Sequence, residues 1–270
     1  MGKLITVLWI LICSLAVDAQ DSTFNISLQK TIIGEYTDFS IDEMGNMYLI
    51  LNRSKLKKLD SNGDSVAVFS DIKRYGKIHS VDATNPLKIL LYYKNTSTII
   101  VLDRLLSVRS VIDLRKNNIQ QVKAVRLSYD NNIWLYEEVE NKIKKIDENG
   151  KLLLQTADLR NVFSTAPSFE SLFDDNRSLY LYDSDQGWFI FDYYGAFIKK
   201  YSFTNWKDVQ VLNSTMIGRS ENNVLTAKQG AFYFTRQKFP VSLSKAVKVQ
   251  HNTKQTYILF KDRLEIYDAP

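Results

Sequence analysis

This chain of 270 residues contains two histidines, His79 and His251, a residue type that often serves as a general base or a metal ligand. A catalytic or metal-binding role would require carboxylates or a further histidine to converge on one of them. No such motif surrounds either residue, and no phosphate-binding or dinucleotide-binding fingerprint precedes a helix. We therefore predict two surface or turn histidines, no catalytic residues and no cofactor.

A first set of aspartates recurs at intervals that suit metal ligands from successive repeats. Asp38, Asp82, Asp130 and Asp174 are separated by 44, 48 and 44 residues. Carboxylates arranged in this way can hold a divalent cation. However, Asp130 and Asp174 belong to Asp-Asn-Asn and Asp-Asp-Asn clusters, and such side chains favour turns because they hydrogen-bond the nearby backbone. We predict structural turn residues and no bound metal.

A second set of aspartates marks a sequence repeat. The block Lys55–Gly63 recurs as Lys142–Gly150, at an offset of 87 residues, with related copies around Asp103 and Asp192. The anchor aspartates of these four copies are 43, 44 and 45 residues apart, and they are Asp60, Asp103, Asp147 and Asp192. A period near 44 built from short apolar runs and Asn or Gly turns is typical of a β-propeller blade. We assign the anchors to tight hairpins.

The repeat predicts an all-β fold, a six-bladed β-propeller. The first four blades are expected at Tyr36–Ser70, Ile78–Leu114, Val122–Leu159 and Phe169–Phe203. A worn fifth blade has strands expected at Val209–Leu212, Met216–Ile217, Asn223–Leu225 and Ala231–Phe234, with Thr235 in the anchor position.

The last blade contains only three predicted strands after Ala246. The segment from Phe24 to Ile33 can supply the missing outer strand and so remove exposed sheet edges. Seven blades would need about 300 residues at this period, more than the chain offers.

The N-terminal residues predict export. Lys3 precedes an apolar run from Leu4 to Val17, and small residues follow, which is typical of a signal peptide over residues 1–19. The propeller would then occupy residues 20–270 with no membrane span. The only cysteine is Cys13; lipidation there is disfavoured because Ile12 precedes it. A mature chain without disulfides favours a bacterial envelope, with a periplasmic or extracellular location.

The charge of the chain argues against nucleic-acid binding and excludes few other functions. The formal net charge is +5, and lysines and arginines are scattered along the sequence rather than grouped in blocks. Such a pattern is typical of a solvated surface, and an exported protein seldom meets nucleic acid. Contact with an acidic partner surface remains open.

Two resemblances can be stated. The Asp-x-x-Gly turns between a third and a fourth strand resemble those of the NHL-like group of six-bladed propellers, over essentially the whole mature chain. The size, the signal peptide, the absence of mature cysteine and the diverged blades resemble the plug-like subunits of the type IX secretion translocon. This second resemblance implies a non-enzymatic propeller that caps an outer-membrane or periplasmic protein complex. The alternatives are a metal-dependent propeller hydrolase or lactonase and a carbohydrate-binding propeller.

Aromatic residues near predicted turns and blade junctions are the candidates for partner binding. Aromatic side chains at loop tips often anchor protein interfaces, whereas those within strands pack between blades. On this basis we predict that Tyr193, Tyr194 and Trp206 contact the partner.

Overall fold

Six four-stranded antiparallel sheets surround a central channel in the computed structural model, which describes residues 26–268. The predicted six-bladed β-propeller is therefore confirmed. The predicted signal peptide and Cys13 lie outside the described residues. Among the residues described, no helix combines the length and apolarity needed to cross a bilayer.

The strands are numbered along the chain, and the first, β1 (Leu28–Ile33), belongs to the last blade. Blade one contains β2 (Asp38–Ile41), β3 (Met47–Leu51), β4 (Lys55–Leu59) and β5 (Ser65–Phe69). Blade two contains β6 (Ser80–Asn85), β7 (Lys88–Tyr93), β8 (Thr98–Leu102) and β9 (Val108–Asp113). Blade three contains β10 (Val122–Leu127), β11 (Ile133–Glu137), β12 (Lys142–Ile146) and β13 (Leu152–Gln155).

The remaining blades follow the same order, from the inner strand at the channel to the outer strand. Blade four contains β14 (Ser171–Asp175), β15 (Ser178–Asp183), β16 (Gly187–Asp192) and β17 (Phe197–Tyr201). Blade five contains β18 (Lys207–Leu212), β19 (Thr215–Ser220), β20 (Asn223–Lys228) and β21 (Thr235–Lys238). Blade six contains β22 (Lys248–His251), β23 (Gln255–Leu259), β24 (Arg263–Asp268) and β1. Short helical turns are α1 (Ile72–Tyr75) and the 3₁₀ segments Lys94–Thr96, Arg115–Asn117 and Leu159–Asn161.

The N-terminal strand closes the ring as predicted. Strand β1 pairs antiparallel with β24, with Thr31 opposite Glu265 and Ile32 opposite Leu264. Ile32 packs on the cluster between blades six and one. Leu28 and Ile33 are 52% and 74% exposed, so they contribute little to this packing. Phe24 lies outside the described residues.

Apolar layers between neighbouring blades form the core. Several second and third strands, such as β3, β7 and β15, read as nearly continuous apolar runs because both of their faces are covered by adjacent blades; all six residues of β7 and of β15 are buried. Six buried clusters, one at each blade interface, result from this packing. The outer strands face solvent and alternate less strictly, as in β5.

Strand direction gives the propeller two different faces. Hairpins that join the first strand of a blade to the second, and the third to the fourth, emerge at the same end of each antiparallel sheet. We call this end the hairpin face. The opposite end, the crossover face, carries the hairpins between the second and third strands and the connections from one blade to the next.

Blade five corrects one sequence prediction. The outer strand is Thr235–Lys238, and Ala231–Phe234 forms the preceding hairpin instead of a strand. Thr235 therefore begins the fourth strand and does not occupy the anchor position after the third. The apolar residues of this segment are typical of a strand, but the side chains of Phe232 and Tyr233 are 92% and 76% exposed.

The anchor hairpins are confirmed. Asp60 Oδ1 accepts the backbone N–H of Asp64 at 2.8 Å, and Asp147 Oδ1 accepts that of Lys151 at 2.9 Å. Gly63 and Gly150 have φ angles of +83° and +85°, in the left-handed region that glycine tolerates best. The same carboxylate bonds recur at Asp103 and Asp192.

Candidate functional site

The hairpin face collects most of the highly exposed large apolar side chains of residues 26–268. Among residues 26–268, eight such side chains are at least 56% exposed, and seven of them lie on hairpins of this face. Ile33, at the other end of β1, is the exception. The seven are Met44, Leu87, Leu105, Tyr129, Tyr194, Phe232 and Tyr233. We refer to these seven residues as the apolar tips.

Blades one to five each supply at least one apolar tip, and blade six supplies none. Single exposed apolar residues are ordinary on protein surfaces, but concentration on one face is typical of an interaction surface. Five of the tips sit on hairpins whose backbone is held by carboxylate or amide oxygens; Asp42 Oδ1, for example, accepts the backbone N–H of Met44 at 3.0 Å. These five tips are therefore displayed on ordered turns.

Tyr193 lies below the surface of this face. Its hydroxyl donates to Asp174 Oδ1 at 2.6 Å, and its ring stacks on Tyr129 with centroids 4.6 Å apart. Burial, followed by the neighbouring Asp174 carboxylate, raises the pKa of the Tyr193 hydroxyl. Tyr193 thus supports Tyr129, which is 68% exposed, and contributes less surface of its own.

A lysine sits among these rings. The Lys145 ammonium lies 4.8 Å from the centroid of the Trp134 ring, and 5.6 Å and 5.7 Å from those of Tyr129 and Tyr193. Asp130 Oδ2 accepts a hydrogen bond from the Lys145 ammonium at 2.5 Å. Although burial alone would raise the pKa of Asp130, the hydrogen bonds from Lys145 and Asn132 lower it.

A groove of about 970 Å³ opens between blades three and four beside this cluster. Tyr129 and Tyr194 form its aromatic rim, and Asn132, Asn176 and Arg177 supply polar groups. Tyr194 is 84% exposed, so the predicted residue is available for contact. Its turn is held by Asp192, whose carboxylate accepts the Tyr194 N–H at 2.9 Å.

The structure corrects the prediction for Trp206. Its side chain is only 4% exposed and belongs to the core between blades four and five. The ring lies parallel to Phe203, with centroids 5.7 Å apart, and meets Trp188 edge-on. Trp206 therefore stabilises a blade junction and is not available to a partner.

Sequence reasoning missed Phe232 and Tyr233, the two adjacent apolar tips of blade five. The aromatic residues of this segment favour a strand, yet the segment follows Gly230, which has a φ of +95°. That glycine, together with the preceding Gln229, could have indicated a hairpin. The Lys199 ammonium lies 5.4 Å from the Phe232 ring centroid and links it to blade four.

The central channel is a second concave site. Its crossover mouth has a volume of about 870 Å³ and its hairpin mouth about 240 Å³. Arg126, Phe173 and Lys248 line both parts. The charged groups pair with one another: Arg126 Nη1 lies 3.5 Å from Asp82 Oδ1, and Lys248 Nζ lies 2.7 Å from Asp38 Oδ1.

The histidines line opposite mouths of this channel and do not converge. His79 lies at the crossover mouth and His251 at the hairpin mouth. Burial, together with the positive charges of Lys94 and Arg53, lowers the pKa of His79. His251 is not a turn residue as expected: it ends strand β22, its Nδ1 is 2.8 Å from Thr256 Oγ1, and burial lowers its pKa to about 4.

The first set of aspartates is structural, although only one member behaves as predicted. Asp130 Oδ1 accepts the Asn132 N–H at 3.1 Å in a turn. Asp38, Asp82 and Asp174 lie within strands, so the turn assignment is wrong for them. Asp82 Oδ2 accepts the Leu127 N–H at 2.6 Å and so links blade two to blade three. Within residues 26–268, no three His, Cys, Asp or Glu side chains are grouped so that they could hold a metal ion.

Comparisons with known proteins agree on the fold. No protein-family model matches this chain, and no curated protein matches it. The WD40 domain of Neurospora crassa Pan2 matches with a TM-score of 0.67 at 9% identity, covering 91% of this chain and 95% of that one. Streptogramin B lyase matches with a TM-score of 0.60 at 14% identity, covering 85% and 77%.

A protein of unknown function from Bacteroides caccae also matches, with a TM-score of 0.55 at 10% identity, covering 78% of this chain and 94% of that one. These neighbours include a WD40 domain and an enzyme on the same architecture, and identities this low show the fold alone. The resemblances to NHL-like propellers and to type IX plug-like subunits stay predictions.

Proposed function

We propose that this protein is an exported, non-enzymatic propeller that binds a larger envelope protein complex through its hairpin face. The single observation that carries the proposal is the concentration of the apolar tips on that face. Burying exposed apolar surface is the main driving force of protein association, and aromatic residues dominate interface energetics. Four of the seven tips are aromatic: Tyr129, Tyr194, Phe232 and Tyr233.

The partner required by this face has a broad surface with apolar pockets. The tips come from hairpins of five blades, so a flat contact would engage several at once. A specific interface buries about 1,000 Å² or more, which a propeller face can supply. Capping of an outer-membrane complex, in the manner of a type IX translocon plug, is the form of the proposal that the sequence resemblance favours.

Co-purification from the native envelope in mild detergent tests the proposal. The wild-type chain is compared with a variant carrying Tyr194→Ala, Phe232→Ala and Tyr233→Ala. The matched control carries Ile72→Ala, Val139→Ala and Val162→Ala, three exposed apolar residues of the crossover face. We expect the first variant to lose the complex while keeping its melting temperature, and the control to retain it.

Two results would contradict the proposal: wild-type protein that migrates only as a monomer in the envelope extract, or loss of the complex in the control variant alone. An enzyme would instead reveal itself by metal-dependent hydrolysis of lactones by the purified protein.

A second candidate function is carbohydrate binding in the groove between blades three and four. The observation that favours it is the aromatic rim of Tyr129 and Tyr194 next to the polar Asn132, Asn176 and Arg177. Binding on a glycan array that is lost in a Tyr129→Ala variant would support this function. An array without specific binding would remove it.

A further inference from the structure

The crossover face carries a segregated patch of positive charge beside blades one and two. Four segments form it: residues 52–55, 70–79, 94–97 and 114–121. Within these segments, eight side chains are basic and only Asp71 is acidic. The eight are all exposed, and they are Arg53, Lys55, Lys73, Arg74, Lys77, Lys94, Arg115 and Lys116. We call these eight residues the basic quadrant.

The fold creates this segregation from charges that are scattered in the sequence. On the same face beside blades three and four, residues 138–142, 156–170 and 184–186 contain five acidic side chains and two basic side chains, Lys142 and Arg160. A uniformly solvated surface would mix the two signs. The sequence-based expectation of a dispersed basic surface is therefore incomplete.

Backbone contacts hold the four segments together. Ile78 N–H donates to Arg53 O at 2.7 Å, and Ser70 Oγ donates to Ser54 O at 3.0 Å. Thr96 Oγ1 donates to Tyr75 O at 3.2 Å, and Leu114 N–H donates to Ser97 O at 2.9 Å. The positive charges are consequently fixed relative to one another on the surface.

Most of these charges are not neutralised. Arg74 faces Asp71 at 3.9 Å, and Arg115 Nη2 donates to the backbone oxygen of Asn95 at 2.8 Å. The other six have no carboxylate within ion-pair distance among residues 26–268. The adjacent His79 responds to this field, because Lys94 and Arg53 add to the burial that lowers its pKa.

We propose that the basic quadrant binds the surface of an anionic lipid bilayer. Five of its eight members are lysines, whose compact ammonium groups suit delocalised attraction to many headgroups; the planar forks of Arg74 and Arg115 are already engaged. Ile72, next to Lys73 in the chain, is 44% exposed and offers an apolar side chain of the kind that enters the headgroup region. The charges lie on loops of two neighbouring blades. A broad anionic surface can therefore contact several of them at once.

This contact is independent of partner binding by the hairpin face, because the two surfaces lie at opposite ends of the propeller. A protein docked through its apolar tips would present the basic quadrant outward. Each lysine or arginine near an anionic membrane strengthens binding about 5-fold. Removal of three charges should then weaken binding by about 100-fold.

Vesicle co-sedimentation with the full chain tests the proposal. One set of vesicles contains about 30% phosphatidylglycerol in phosphatidylcholine and the other contains phosphatidylcholine alone. The test variant carries Lys73→Gln, Lys77→Gln and Lys94→Gln. The control carries Arg177→Gln, Lys228→Gln and Lys254→Gln, which remove the same net charge from exposed sites of the hairpin face.

We expect wild type and control to bind the anionic vesicles at about 50 mM salt and to be released at about 500 mM. The test variant should bind about 100-fold more weakly while its melting temperature is unchanged. The proposal is overturned by equal loss in both variants, or by equal binding to both vesicle types. It is also overturned if soluble polyglutamate binds the quadrant and the vesicles do not, because the ligand would then be an acidic protein segment.

Discussion

Asp174 on blade four accepts a hydrogen bond from the buried Trp134 indole of blade three, with Nε1 and Oδ2 3.0 Å apart. The same carboxylate accepts from Ser128 Oγ at 2.8 Å and from Tyr193 Oη at 2.6 Å. One aspartate thus satisfies three side-chain donors, two of which lie across the junction between blades three and four. It also holds Tyr193, on which the ring of the apolar tip Tyr129 stacks.

Replacing Asp174 with alanine should destabilise the propeller by about 2–4 kcal/mol, because the fully buried Trp134 donor and two hydroxyls lose their acceptor. Urea denaturation measures the loss. The control is Asp64→Ala on an exposed turn, expected within about 0.5 kcal/mol of wild type. Equal stabilities for the two variants would refute the role assigned to Asp174.

The two copied hairpins should respond unequally to substitution. Gly63→Ala should cost about 1 kcal/mol, since its main penalty is the positive φ and its new Cβ would meet only the flexible end of Lys30. Gly150→Ala should cost more, about 2–3 kcal/mol, because its Cβ would lie 2.5 Å from Asn117 Nδ2 and 2.9 Å from Ile112 Cγ2. The sequence repeat alone predicts equal costs.

A double variant separates strain from crowding. Adding Asn117→Ala to Gly150→Ala should recover part of the crowding cost, as measured by a double-mutant cycle in chemical denaturation. Strict additivity of the two changes would show that Asn117 does not crowd position 150.

Acid should destabilise the fold partly through His251. Its pKa is about 4 in the folded protein and about 6.5 in an unfolded chain, so the unfolded state takes up the proton first. The stabilising contribution is complete above about pH 6.5 and is lost as the pH falls towards 4. The melting temperatures of wild type and of His251→Gln are measured between these pH values. The difference between the two proteins should shrink as the pH falls. Parallel curves would contradict this account.

Strand β1 should be essential for closure. Deleting residues 1–33 exposes the edge of β24 and removes the packing of Ile32, so the melting temperature should fall and aggregation should increase. Deletion of residues 1–25 alone retains β1 and serves as the control. Unchanged thermal melting after the longer deletion would show that β1 does not close the ring.

Repetition in the sequence predicts much of this fold and little of the site. Asp60 and Asp147 reveal their hairpins because a turn carboxylate and a following glycine act locally. The exposure of Phe232 and the burial of Trp206 depend on which neighbouring blade covers each ring, so residue type could not separate them. The basic quadrant also joins four separate segments spread over residues 52–121, and the packing of neighbouring blades brings them together.

Site-specific photo-crosslinking in native envelopes tests the central claim most directly. A photoreactive amino acid is placed at Tyr194 or Phe232 on the hairpin face, and at Val139 or Val162 on the crossover face. We expect the hairpin-face positions to form one crosslinked adduct with a larger envelope protein, and the crossover-face positions to form none with that protein. Adducts with it from Val139 or Val162, and none from Tyr194 or Phe232, would contradict docking through the hairpin face.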